Sequence, residues 1–255
     1  MPVARMRTTV FFRTVVASAL ACVVVSAGCT PAGPAAPDAD PVVIVGGTGA
    51  PAEFYQPLAS RLRAGGYEVY VYTIPSPFRR FENSAATFAA YLDDLLDTAG
   101  ANRADLIGHS QGVILMRYAA KFLGSGDRID TMVTLSGGIH GSKLAADLQE
   151  AADCLGIVIC TQAATGSEFI TALNSPQDTI AGIHHVNITT IHEQIATPYT
   201  TNLMTGPGDV TNVVVQGQCP TNQVEHALLA VDGAVASAID DALAKRAITL
   251  DCSAL

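Results

Sequence analysis

The chain has 255 residues, 49% of them hydrophobic and 15% charged, which suits one globular domain with a buried core and excludes a disordered polymer. Acidic residues number 23 against 14 lysines and arginines, giving a net charge of −9. That balance excludes nucleic acid as a partner, since phosphate binding needs clustered Lys and Arg.

Residues 1–28 read as a leader rather than as part of the fold. Arg5, Arg7 and Arg13 form a basic start, residues 15–25 are apolar, and Ser26-Ala27-Gly28-Cys29 resembles a lipobox. The resemblance implies a lipoprotein whose mature chain begins at Cys29, with that cysteine lipidated and the protein exported and membrane-anchored or secreted. An ordinary secretory leader cut nearby is the alternative. Residues 29–41, with the run TPAGPAAPDADP, read as an extended tether, and residues 42–255 as the folded domain.

In chain order, residues 41–45 (PVVIV) are a continuous apolar, β-branched run that predicts a buried strand. A loop of Gly46-Gly47-Thr48-Gly49-Ala50 follows, then a helix carrying Phe54, Leu58 and Leu62, closed by Gly65-Gly66. The loop lacks a Walker lysine and a full G-x-G-x-x-G, so it does not predict nucleotide binding. Residues 68–74 predict a second strand, and Ser84 is the expected cap of a helix through Phe88, Leu92 and Leu96. Strands are predicted at 104–108, 131–136, 186–191 and 211–216, with helices at 113–123 and 231–247. An insertion at about 137–185, with one helix near 142–152, interrupts the alternation. Alternating strands and helices predict an α/β fold, a mainly parallel six-stranded sheet with helices on both faces and functional loops at the carboxyl ends of its strands.

Ser110 falls at such an end. Gly108-His109-Ser110-Gln111-Gly112 matches G-x-S-x-G between a strand and a helix, the pattern of a nucleophile elbow. Small flanks let a serine adopt a strained turn and stand clear, while the helix start beneath it favours developing negative charge. A serine needs a base. Of six histidines, His109 lies within the elbow and cannot reach its neighbour's hydroxyl, whereas His140 follows the fourth strand and its loop could line a pocket. His184 and His185 precede the fifth strand, His192 ends it, and His226 stands after the sixth strand, where the base belongs. Glu193 stands after the fifth strand, where the acid belongs. Asp209 is its rival, placed just before the sixth strand. Two backbone N–H groups should hold a developing oxyanion, one from Gln111 and one from the glycine loop at Thr48.

The four cysteines beyond Cys29 allow three pairings, of which Cys154–Cys160 and Cys219–Cys252 are favoured. The first closes a short local loop and the second ties the last segment back to the body. No CxxC spacing or other metal constellation stands out, so no metal and no cofactor are expected. Ile157 and Ile159, inside the shorter loop, either wall an acyl pocket or lie in the core beneath it.

Taken together, these segments resemble the α/β-hydrolase superfamily, and more closely the secreted lipases and esterases of actinobacteria and bacilli, of the lipase class 2 kind. VVIVGGTGAPAEFYQPLASRLRAGGYEVY resembles their first strand, oxyanion loop and first helix, and DLIGHSQGVILMRY their elbow. ITTIHEQIATPYT and VEHALL resemble the segments that supply the acid and the histidine. The resemblance implies a triad of Ser110, Glu193 and His226, an oxyanion hole at Thr48 and Gln111, and hydrolysis of a carboxylic ester or lipid through an acyl-enzyme. An envelope acyltransferase with the same triad and an inactive binding lipoprotein are the alternatives. Three departures stand out: Gly46-Gly47 where His-Gly is common, Glu193 where aspartate is usual, and SGGIHGSK after the fourth strand.

Overall fold

In the computed structural model, Met1 and residues 39–254 are described. The leader, Cys29 and most of the tether lie outside the described residues. Among those described, no helix is long and apolar enough to cross a membrane.

Six parallel strands form one sheet: β1 (Val42–Val45), β2 (Val69–Tyr72), β3 (Ala104–His109), β4 (Ile129–Leu135), β5 (His184–Thr189) and β6 (Val210–Val214). Their spatial order is β2-β1-β3-β4-β5-β6. The order reverses direction at β1, so the crevice beside the carboxyl ends of β1 and β3 is a topological switch point, where open α/β sheets bind ligands. The central strands β1 and β3 are buried along their whole length, which is why PVVIV reads as a continuous apolar run, whereas the edge strands β2 and β6 are partly exposed. Val42 and Ile44 pack with Leu58 and Leu62 of α1 (Gln56–Ala64) and with Val235 and Ile239 of α8 (Gly233–Leu243). Val43 and Val45 face the other way, onto Phe88 and Leu92 of α2 (Phe81–Ala99) and Leu115 of α3 (Gln111–Phe122). Leu62, Leu92 and Leu115 are fully buried, and each such side chain contributes roughly 1.5–3 kcal/mol.

Several expected boundaries shift for identifiable reasons. Helix α2 begins at Phe81, and Ser84 lies inside it rather than capping it. The cap comes from elsewhere in the chain: the Phe81 N–H donates to Gln162 Oε1 at 2.9 Å. Strand β5 begins at His184, so His184 and His185 open the strand instead of preceding it, and His192 lies beyond its end. After β6 the chain enters the short α7 (Val215–Gln218), and the final helix is divided into a 3-10 segment, His226–Val231, and α8.

The insertion holds three helices, α4 (Lys143–Ala152), α5 (Val158–Ala163) and α6 (Glu168–Asn174), where one was expected. Ser142 caps α4 by accepting the Ala145 N–H, and Ser167 caps α6 by accepting the Ile170 N–H. Between α4 and α5, Asp153, Cys154 and Leu155 all adopt positive φ, and this left-handed turn throws Leu155 into solvent at 78% exposure. The Cys154–Cys160 disulfide staples that turn to α5, and Cys219–Cys252 holds the terminal segment to the end of α7.

Candidate active site

The site begins with a turn the chain can make only with glycines. Ser110, between β3 and α3, has φ 54° and ψ −121°, a region that L-residues rarely occupy. A Cβ on Gly112 would overlap the Val45 carbonyl of β1, and one on Gly108 would overlap the Met116 side chain of α3. The collisions are therefore with the neighbouring strand and helix. The Ser110 N–H donates to the Leu135 carbonyl at 3.0 Å, which carries the β3–β4 ladder one residue past the strand and pins the turn.

Three side chains from three loops meet here. Ser110 Oγ lies 3.0 Å from His226 Nε2, and His226 Nδ1 lies 2.9 Å from Glu193 Oε2. The Glu193 side chain is fully buried, and its Oε1 accepts the Ile195 and Ala196 N–H groups at 2.8 and 2.9 Å. Burial pushes the Glu193 carboxyl upward, but the His226 bond and charge, the Ile195 N–H and the Ser136 hydroxyl outweigh it and hold the group below its ordinary range. Glu193 therefore stays ionised beside the imidazole. Asp209 is not part of this group: its carboxylate lies 2.8 Å from His184 Nδ1, at the amino-terminal end of β5.

His109 turns away from Ser110. Its Nδ1 lies 3.0 Å from the Tyr55 hydroxyl and its Nε2 lies 2.9 Å from the His226 carbonyl. Burial lowers its pKa to about 4, against the opposing pull of the His226 carbonyl, so the ring is neutral near pH 7. His140 does not face the site either. Its Nε2 is 3.1 Å from Asp178 Oδ2, although Gly137, Gly138 and Gly141 of its loop do line the cavity beside Ser110. Ser136, whose hydroxyl also lies 3.0 Å from the Thr189 hydroxyl, is a contributor with no motif to mark it.

Thr48 and Gln111 stand together on one wall of that cavity. The Thr48 hydroxyl donates to Gln111 Oε1 at 2.7 Å, and Gln111 Nε2 donates to the Pro77 carbonyl at 2.9 Å. The Gln111 N–H is the first of α3 and so has no partner within the helix. Among the described residues the Thr48 N–H also has no acceptor. The cavity holds about 240 Å³ and is walled mainly by apolar side chains, including Leu144 and Leu148 of α4 and Ile157, Ile159 and Cys160 of the stapled segment. Ile157 is 40% exposed, so it is a wall and not core, whereas Ile159 both lines the cavity and packs against the core.

One carboxylate cluster lies elsewhere among the described residues. Asp40, Asp105 and Asp130 offer oxygens within 4.8 Å of one another, at the amino-terminal side of β3 and β4. Both oxygens of Asp130 are already held by cations, Arg103 at 2.8 Å and Lys245 at 2.5 Å, which leaves a poor set of ligands for a metal. Burial, helped by Asp130 and Asp40 and opposed by hydrogen bonds from Thr131, raises Asp105 to about 7.

An all-parallel, doubly wound sheet with a strained serine at its switch point, followed by an acid and a histidine after later strands, defines an α/β-hydrolase fold. The sequence matches the Alpha/beta hydrolase family over residues 42–209, and the chain belongs to that family. No curated protein matches the sequence. Among solved structures it is similar to Aspergillus fumigatus lipase B (18% identity, TM-score 0.69), covering 81% of this chain and 52% of that one. It also resembles a Bacillus licheniformis lipase in its mature form (22% identity, TM-score 0.51), covering 61% of this chain and 66% of that one. A Listeria innocua gene product matches over 85% of this chain and all of its own, at 14% identity and TM-score 0.57. The chain thus spans about half the length of the Aspergillus lipase, and at these identities the likeness is one of fold.

Proposed function

We propose that the protein is an exported serine hydrolase of carboxylic esters, a lipase or carboxylesterase. The observation that carries this reading is the unbroken hydrogen-bonded line Ser110–His226–Glu193 at the mouth of an apolar cavity. Ser110 Oγ attacks the ester carbonyl carbon while His226 Nε2 takes its proton. The Glu193 carboxylate holds the Nδ1 proton, fixes the tautomer and stabilises the imidazolium. The oxyanion accepts hydrogen bonds from the Gln111 and Thr48 N–H groups. His226 then returns the proton to the departing alcohol, leaving an acyl-enzyme, and water repeats the sequence to free the acid and restore Ser110. This chemistry needs no cofactor.

The apolar walls at Leu144, Leu148 and Ile157 suit an acyl chain, which agrees with the lipases among the structural relatives. Two disulfides fit an oxidising compartment outside the cytoplasm. Lipid attachment at Cys29 would hold the enzyme at a membrane near its substrate. The test is hydrolysis of p-nitrophenyl esters from acetyl to palmitoyl by the protein and its Ser110→Ala form. Turnover that vanishes with Ser110 supports the reading, and equal turnover in both forms overturns it.

A further inference from the structure

We propose that Tyr55 and His109 form a hydrogen-bond relay that holds the oxyanion loop in register with the main chain of His226, so that both are positioning residues for the reaction. The proposal rests on the serine-hydrolase reading above. Its geometry is fixed by what each atom can do. The His226 carbonyl only accepts, so His109 Nε2, 2.9 Å away, must carry the ring proton. In the neutral ring Nδ1 is then an acceptor, and the Tyr55 hydroxyl, 3.0 Å away, donates to it. That commits the hydroxyl proton and leaves the Tyr55 oxygen free to accept the Gly47 N–H at 2.7 Å. Every step has one donor and one acceptor, and no proton or lone pair is claimed twice.

The two ends of this line are the parts that must be held together. Gly47 is the residue before Thr48, the expected oxyanion donor, and His226 is the expected base. Between them the relay crosses the loop after β1, the 3-10 turn Ala52–Tyr55, the elbow and the 3-10 segment at His226. Tyr55 is fully buried, and His109 and His226 are each less than 10% exposed, so water cannot readily replace a missing partner. The loop is also pressed against the elbow, since a Cβ on Gly47 would come within 3.1 Å of Ser110 Cβ. The Thr48–Gln111 hydrogen bond ties the same loop to the elbow, and the relay extends that tie to the main chain of the base. A misplacement of about 1 Å in such an arrangement costs about 100-fold in rate.

The direct test is Tyr55→Phe, which keeps the ring and removes only the hydroxyl, alongside His109→Leu and the double variant. We expect kcat on p-nitrophenyl butyrate to fall about 10- to 100-fold in each single variant, with KM within threefold of wild type. The double variant should be no worse than the poorer single one, because both break the same line. Folded variants with kcat within twofold of wild type would overturn the relay, as would losses that multiply in the double variant. The wiring is also readable without turnover. In protein labelled with ¹⁵N-histidine, His109 should carry its proton on Nε2 between pH 6 and 9, with a resonance that Tyr55→Phe shifts. A proton on Nδ1 would overturn the proposal whatever the enzyme does. Turnover that survives Ser110→Ala, by contrast, would sink the hydrolase reading and leave the ¹⁵N result to decide the relay.

Discussion

Replacing Glu193 by glutamine changes one atom and should remove most of the activity. In the native site both carboxylate oxygens face His226 Nδ1, Oε2 at 2.9 Å and Oε1 at 2.8 Å, and Oε1 also accepts the Ile195 and Ala196 N–H groups. A glutamine that keeps its oxygen on those two donors puts its NH₂ in the place of Oε2, 2.9 Å from Nδ1, where it competes as a donor to that nitrogen. It also removes the negative charge that stabilises the imidazolium. Where Nδ1 accepts from that NH₂, the ring proton moves to Nε2, and Nε2 can no longer take the proton from Ser110. The same inversion in a Ser-His-Asp enzyme costs about 10⁴-fold in kcat, roughly 5 kcal/mol of barrier. Glu193→Asp withdraws the carboxylate by about 1.5 Å, one carbon–carbon bond, and should leave an intermediate activity. Asp209→Asn should leave kcat within twofold of wild type, because Asp209 is bound to His184 instead. The assay is kcat and KM on p-nitrophenyl butyrate at pH 8, with a thermal melt to establish folding. A Glu193→Gln protein within tenfold of wild type, or an inactive Asp209→Asn protein, would refute the assignment of the acid.

Gly112→Ala should destabilise the fold by about 3 kcal/mol, because its methyl would enter the space of the Val45 carbonyl; an unchanged melting temperature would count against the account of the elbow. Ile157→Ser with Ile159→Ser should shift the acyl-length preference toward short chains, and an unchanged profile in a folded variant would remove the stapled segment from the binding site. Asp105, raised to about 7, keeps a proton in the folded state that the unfolded chain has already lost above about pH 4. Wild-type stability should therefore fall as pH rises from about 4 to 7. Asp105→Asn, which keeps an acceptor for the Thr131 N–H, should gain relative stability over that window by up to about 4 kcal/mol. Urea denaturation at pH 5 and pH 8 checks this, and parallel profiles for the two proteins would contradict it.

Ser110, Glu193 and His226 were legible because each occupies a loop after a strand, and strand positions follow from apolar runs that do not depend on distant partners. Gly108 and Gly112 were legible for the same reason, although the atoms they avoid belong to Met116 and to β1, which only the packed sheet brings near. What escaped the sequence depends on tertiary contact. The start of α2 is set by Gln162, eighty-one residues away, so a local search for a cap settles on Ser84 instead. His184 and His185 look like the end of a loop, yet they form the first rungs of β5, where pairing with Thr131 and Met132 of β4 overrides their weak strand propensity. The helices α5 and α6 have six and seven residues, too short for an apolar period to stand out. The contacts of Tyr55 with His109 and of Ser136 with Thr189 join residues more than fifty positions apart, and no spacing rule connects them.

The central claim is that Ser110 is the nucleophile, and a p-nitrophenyl alkylphosphonate tests it most directly, because the phosphorus accepts the attacking oxygen and the adduct does not hydrolyse. Intact-mass measurement followed by peptide mapping should find one phosphonyl group per chain, on Ser110, formed in step with the loss of esterase activity. The Ser110→Ala protein should take up none. A labelled chain with its adduct on another residue, or a fully active chain that takes up no label, would contradict the account.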